Sequence, residues 1–212
     1  MISIIITSYK EYKTIAKAIK IVLQQKIPNS EIIVVAPDKE TLNVAKKFKV
    51  KTFQDPGKGK PTALNLAFKK AKGDIFVLTD GDVFLSKNAI KNILPYFKDP
   101  KVGAVTGHPV SINNKKTLFG YWSHLLNDSA HLERLKRDKQ SKFMFCSGYL
   151  FAMRKNIIKR LPSDVLDDGY ISSYIGKMHK IRYSPNSIVY IKNPENFSDW
   201  ILQKRRNSIG HN

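Results

Sequence analysis

Apolar residues in the first hundred positions of this chain switch between two spacings. Aliphatic and β-branched runs at Ser3–Thr7, Glu31–Ala36, Lys51–Gln54 and Ile75–Thr79 read as strands. Between the first two, Tyr12 to Gln25 carries Ile15, Ala18, Ile19, Val22 and Leu23 on one helical stripe with lysines opposite, and Thr41 to Phe48 repeats that stripe in shorter form. Pro61 stands where the first turn of a helix tolerates proline and Gly73 closes that helix, whose apolar side is Leu64, Leu66, Ala67 and Ala71. Strands apolar on both faces and joined by helices predict a mostly parallel central sheet with helices on both faces, an α/β fold. Ligands of such sheets gather at the carboxyl ends of the strands.

The second half is less regular. Val102–Val110 and Phe143–Met153 read as strands, and Thr117 to Arg137 reads as a long amphipathic helix. An acidic turn after Pro162 leads into a helix through Gly176, and a last helix covers about Asn196 to Asn207. Ile181–Tyr183 and Ser187–Ile191 predict a hairpin with Pro185-Asn186 at its turn. The expectation is a single domain over 1–212, with a nucleotide-binding half at 1–100 and a mixed-sheet, acceptor-binding half at 101–212.

Composition narrows the class. A hydrophobic fraction of 42% belongs to a folded globular protein, and one cysteine, Cys146, excludes an internal disulfide and a multi-cysteine zinc cluster. The longest apolar runs are strand-sized, and the first starts at Met1 without a basic leader, so a soluble or membrane-peripheral, cytoplasmic chain is expected. The net charge of +20 implies a polyanionic partner or surface; equally, only seven of the 37 basic residues are Arg, and scattered lysines fit a compositional bias.

Candidate chemistry concentrates at strand ends. The run Ile75 to Asp82 delivers Asp80 and Asp82 to the end of a buried strand, separated by Gly81. Carboxylates so placed suit a hard divalent cation that also holds substrate phosphates, although a polar strand end before a helix cap would look the same. Upstream, Gly57, Lys58, Gly59 and Lys60 precede a helix N-terminus, which favours anions. Thr7, Ser8, Tyr9 and Glu11 offer hydroxyls, a ring and a carboxylate where a nucleoside could sit, and Asp38 is either a base or ribose acceptor or a helix N-cap before Thr41. Asp167 and Asp168 are adjacent carboxylates suited to a general base or to a helix dipole, and Gln203 to Asn207 is a basic helical patch.

Assembled in order, these residues resemble the family 2 glycosyltransferases of the GT-A fold, in particular the catalytic core of cellulose, chitin and hyaluronan synthases. The resemblance runs from Ser3 to about Asn207. It implies that Thr7, Ser8, Tyr9 and Glu11 line a nucleotide pocket with Asp38, Lys60, Asn65 and Asp80. The Gly-Lys-x-x-Ala-Leu-Asn pattern falls on Gly59 to Asn65, and the Asp-x-Asp motif on Asp80 and Asp82, with Asp82 the more direct ligand of Mg²⁺ or Mn²⁺. Ser147, Gly148 and Asp167 would lie at the acceptor, Asp168 would be the catalytic base, and Gln203 and Arg206 would bind the donor diphosphate.

The implied reaction is an inverting transfer from a nucleoside-diphosphate sugar to a hydroxyl of a lipid-linked or glycan acceptor. Peripheral contact with anionic lipid at the inner face of the cell membrane is expected, and a nucleic-acid partner is not. Two departures stand out: Ala36-Pro37-Asp38 replaces the usual Asp-Asp segment, and Asn207 replaces the final Trp. A sugar nucleotidyltransferase and a non-catalytic polyanion-binding protein are the rival readings. The first should carry a glycine-rich signature near Thr7, and the second predicts salt-dependent binding indifferent to Asp82.

Overall fold

A computed structural model describes residues 1–209. Eight strands form one sheet: β1 (Ile2–Thr7), β2 (Ser30–Ala36), β3 (Lys51–Gln54), β4 (Ile75–Asp80), β5 (Phe84–Leu85), β6 (Val102–Ser111), β7 (Leu150–Arg154) and β8 (Lys180–Ile191), in the order β3-β2-β1-β4-β7-β6-β8-β5. The helices are α1 (Ile15–Gln24), α2 (Lys39–Ala45), α3 (Lys60–Lys70), α4 (Ala89–Ile93), α5 (Leu118–Lys139), α6 (Asp167–Gly176) and α7 (Phe197–Ile209). The first four strands in space run parallel, β7 reverses direction between β4 and β6, and β8 runs parallel to β6. The sheet is therefore parallel at its amino-terminal edge and mixed beyond β4.

Alternation along β1, β2 and β4 explains the two core layers. Ile4, Ile6, Val34 and Val77 face α1 and α4, whereas Ile5, Ile33, Val35 and Leu78 face α3 and α6. Each strand thus buries both faces, which is why its sequence is continuously apolar.

Two expected elements form differently. Only Leu150–Arg154 of the Phe143–Met153 run is a strand. Ahead of it, three consecutive amides bond to side chains instead of a ladder: Cys146 to Ser172 Oγ at 2.8 Å, Ser147 to Thr106 Oγ1 at 2.8 Å and Gly148 to Asp168 Oδ2 at 3.1 Å. The expected hairpin at Pro185-Asn186 is instead one strand, β8, with a bulge. Tyr183 pairs with Thr106 and Ile188 with His108, so Ser184–Ser187 interrupt the ladder, with Ser184 and Ser187 buried around a proline that has no amide to donate.

Glu31, at the amino end of β2, ties together β1, β3 and the turn before β4. Its buried carboxylate accepts from Ser3 Oγ, Lys51 Nζ and the Lys72 amide, each at 2.6 Å. Burial opposes its charge, but these hydrogen bonds more than offset that and hold its pKa down at about 2. A carboxyl group depressed from 4.5 stabilises the fold above that pH and loses the effect as pH falls towards 2. Glu31→Gln is expected to lower the unfolding free energy by about 2 kcal/mol at neutral pH in urea titrations, with the gap closing in acid. An unchanged midpoint would remove the network as a brace.

Candidate active site

The carboxyl ends of β1 and β4 lie side by side, with Thr7 in register with Asp80. Thr7 Oγ1 donates to Asp80 Oδ1 at 3.0 Å, and the Gly81 amide donates to the Thr7 carbonyl at 3.0 Å. Gly81 lies so close to the Ser8 hydroxyl that a Cβ there would collide with it. A glycine is therefore required for Asp80 and Asp82 to turn off the strand beside the β1 loop.

Lys60 is the first residue of α3, entered through Gly59 in a left-handed conformation at φ 92°. Its ammonium lies 2.8 Å from Asp80 Oδ1 and 3.6 Å from Asp167 Oδ2, and donates to the Gly148 carbonyl at 3.3 Å. Burial alone would favour the neutral amine. The Asp80 and Asp167 carboxylates, with Asp168 beyond them, reverse this and raise its pKa above the ordinary lysine value. Asp167 is buried, and burial raises its pKa although Lys60 works against the shift. Asp168 follows it in the first turn of α6: Oδ2 accepts from the Gly148 amide at 3.1 Å and Oδ1 from the Gly169 amide at 2.8 Å.

Asp82 is solvent-exposed on its outer side. Desolvation by the surrounding protein, then the Asp80 and Glu11 carboxylates, push its pKa up to about 6, and Lys60 offsets only part of this. The Ser8 hydroxyl is buried with no hydrogen-bond partner among the described residues. A negative excess beside hard oxygen donors fits a divalent cation. Among the described residues no three His, Cys, Asp or Glu side chains form a metal-holding group, so Asp82 and Asp80 offer at most a partial set that substrate phosphates would complete.

The structure therefore brings Thr7, Ser8, Lys60, Asp80, Asp82, Gly148, Asp167 and Asp168 to one end of the sheet, with Glu11 close enough to act on Asp82. Ser147 is buried beneath, its amide held by Thr106. Tyr9 projects outward at 63% exposure. Several expected contacts are otherwise engaged. Asp38 caps α2, with Oδ1 on the Thr41 amide at 2.9 Å and Oδ2 on the Lys10 amide at 2.8 Å, so the N-cap alternative is the one formed. The Asn65 carboxamide grips both backbone groups of Leu161 at 2.8 Å each, bracing the loop before α6. Asp167 lies under Lys60 and is largely buried there. Gln203 is partly buried on α7, and the Arg206 side chain falls outside the described residues. A cavity of about 510 Å³ lined by Val22, Ile27, Phe48 and Val50 contains none of these residues. Sequence reasoning did not single out Arg134 on α5, whose guanidinium feels the charge of Asp168; a lone arginine on a polar helix gives no local signal.

The fold is that of the GT-A glycosyltransferases. A mannosyltransferase from Pyrobaculum calidifontis, solved with GDP-Man and Mn²⁺, superposes with a TM-score of 0.77 at 20% identity over 99% of this chain and 62% of its own. S. aureus TarS 1–349 gives 0.66 at 19% identity over 99% and 64%. The chain belongs to the family described as glycosyltransferase like family 2, which it matches over residues 1–210. Its relatives include the hyaluronan synthase of Streptococcus pyogenes, 23% identical over 97% of this chain and 55% of that protein. A probable glycosyltransferase, YdaM, of Bacillus subtilis is 27% identical over 99% and 55%. The chain spans about half the length of these curated relatives.

Because a raised carboxyl pKa marks a charge the fold resists, the penalty at Asp82 is absent below 3.8 and complete above about 6. In metal-free buffer at neutral pH, Asp82→Asn should raise Tm by about 2 °C, with the difference vanishing near pH 4. A lower Tm for the variant would contradict this electrostatic picture.

Proposed function

We propose that this chain is the catalytic unit of an inverting glycosyltransferase that moves a sugar from a nucleoside-diphosphate sugar to an acceptor hydroxyl. The observation that carries the reading is the convergence of Lys60, Asp80, Asp82 and Asp168 at one strand-end cleft in a family 2 chain. Neighbouring structures with GDP-Man and Mn²⁺ and with UDP-GlcNAc support a nucleotide-sugar donor and a divalent metal. The hyaluronan synthase relative, and a poly-beta-1,6-N-acetyl-D-glucosamine synthase of Staphylococcus aureus 32% identical over 56% of this chain and 31% of that protein, support a glycan acceptor.

In this mechanism Thr7, Ser8, Tyr9 and Glu11 receive the nucleoside, and Asp38 orders that turn through the Lys10 amide. Asp82 and Asp80 would hold Mg²⁺ or Mn²⁺, with Lys60 fixing Asp80. When bound, that cation supplies neutralisation of the charge developing on the departing diphosphate. Asp168, aimed by the Gly148 and Gly169 amides, takes the proton of the acceptor hydroxyl as its oxygen bonds to the anomeric carbon and the bond to the diphosphate breaks. Ser147 and Gly148 shape the acceptor side, and Gln203 and Arg206 contribute to diphosphate binding.

The acceptor's setting is proposed to be an anionic membrane surface. α5 exposes Leu118, Tyr121, Leu125 and Leu132 along one stripe and α7 exposes Phe197, Ile201 and Leu202, on a chain of net charge +20. No helix among the described residues is long and apolar enough to cross a membrane.

A panel of nucleotide sugars with Mn²⁺ or Mg²⁺ should reveal one that raises Tm, and Asp82→Ala should abolish that metal-dependent rise. Asp168→Asn should keep donor binding and lower transfer or donor hydrolysis by at least about 100-fold. If no nucleoside diphosphate or nucleotide sugar binds with either metal, the reading falls. In low-salt flotation, vesicles containing phosphatidylglycerol should carry more protein than phosphatidylcholine vesicles, and equal binding would remove the membrane contact.

A further inference from the structure

Arg134 is the anomaly of the acceptor half. It sits on the sheet-facing side of α5, partly buried, and among the described residues its guanidinium has no hydrogen bond or ion pair. Charged groups out of bulk water are normally paired, and its neighbour Arg137 is: it contacts Glu133 at 2.6 Å and the Phe143 carbonyl at 2.9 Å. The groups that act on Arg134 are Tyr183, Cys146 and Asp168. Burial raises the pKa of the Tyr183 hydroxyl and pushes the Cys146 thiol up to about 12, so both are neutral at physiological pH. Asp168 is then its one anionic counterpart, and that carboxylate is already held by two backbone amides.

One helical turn earlier, His131 stacks on His108 with ring centroids 3.9 Å apart and planes 9° from parallel. His131 Nδ1 lies 2.6 Å from the Tyr183 hydroxyl and His108 Nδ1 lies 3.2 Å from the Pro185 carbonyl. Both imidazoles are lowered in pKa, by burial first, and Arg134 acts on each in the same sense, with Asp128 the opposing charge. His108 belongs to β6 two residues after Thr106, which holds the Ser147 amide beside Gly148 and Asp168. The patch thus holds one partly buried guanidinium without an ion pair, set against two stacked imidazoles and near the proposed base.

We propose that Arg134, flanked by His108 and His131, is an acceptor subsite for an anionic group, a phosphate or a carboxylate, carried by the molecule whose hydroxyl Asp168 deprotonates. This deepens the glycosyltransferase reading and rests on Asp168 as its base. An uncharged acceptor would leave the guanidinium without an ion pair, so the subsite selects acceptors that bear a negative charge. A lipid-linked phosphate and a uronate-containing glycan share this chemistry.

Imidazole ¹H–¹⁵N spectra of the whole chain, titrated with methyl phosphate and separately with glucuronate, test the subsite without any acceptor in hand. At least one anion should move the His108 and His131 signals saturably and raise their pKa values, and the stronger of the two identifies the source. Arg134→Gln should weaken that response at least about tenfold, whereas Arg134→Lys should retain most of it. The Mn²⁺-dependent Tm rise with nucleotide should be unchanged in both variants. Absence of a saturable response in the wild-type chain, or an undiminished one in Arg134→Gln, overturns the subsite while leaving the donor site standing. Loss of the nucleotide response in the wild type, with the imidazole response intact, overturns the glycosyltransferase reading instead.

Discussion

A single ammonium group ties the acidic end of this sheet together. Lys60 reaches Asp80 at the end of β4, Asp167 at the start of α6 and the Gly148 carbonyl ahead of β7. A cation in the first turn of a helix is disfavoured by the helix dipole, and one removed from water is costly on its own. Both costs are offset here only because several acceptors from distant parts of the chain converge on it. The same convergence holds Asp80 beside Thr7 and Gly148 beside Asp168. Without Lys60, Asp80 and the buried Asp167 would repel across the cleft, and β4 and α6 would lose their common reference point.

Lys60 also divides the carboxylates into two populations. Asp80 is paired with it, Asp167 is offset by it in part against burial, and Asp168 is held by backbone amides at a helix start. Asp82 is left desolvated by the surrounding protein and beside Asp80 and Glu11, and its raised pKa follows from burial first and those carboxylates second. The division separates the proposed work: a residual negative charge on one side suits a cation and a diphosphate, and an oriented carboxylate on the other suits proton abstraction. One structural ion pair thereby keeps two carboxyl groups, Asp82 and Asp168, from adopting the same role.

What was legible in sequence follows the same logic. β1, β2 and β4 were readable because burial on both faces forces unbroken apolar runs, and Lys51–Gln54 was bounded correctly for β3. Phe143 to Gly148 misled because exposed Phe143 and Phe145 alternate with buried Met144 and Cys146, as in a strand, while their amide partners come from distant side chains. Pro185-Asn186 carries turn chemistry that a bulge in a long strand also uses. At the site, residue type placed Asp80 and Asp82 at a strand end and Lys60 at a helix start. It could not tell that Asn65 grips Leu161 or that Asp167 lies beneath Lys60, because hydrogen-bond partners 96 residues apart and burial depth are tertiary properties.

α5 shows why the remainder was hidden. Only Gly120 and Ser123 are buried in its 22 residues, so it is not held by an apolar stripe. Polar contacts position it instead: His124 to the Asn113 carbonyl at 2.9 Å, His131 to Tyr183 at 2.6 Å, and Asp138 to the Arg182 guanidinium and the Tyr183 amide. Such bonds fix rotation about the helix axis more stringently than hydrophobic burial, which is non-directional. Fixed rotation turns Arg134 towards the sheet and leaves Leu118, Leu125 and Leu132 facing outward. A helix anchored in this way has its leucines free for an external apolar surface and its arginine free for the site, two properties that an ordinary amphipathic helix packed through its leucines cannot combine.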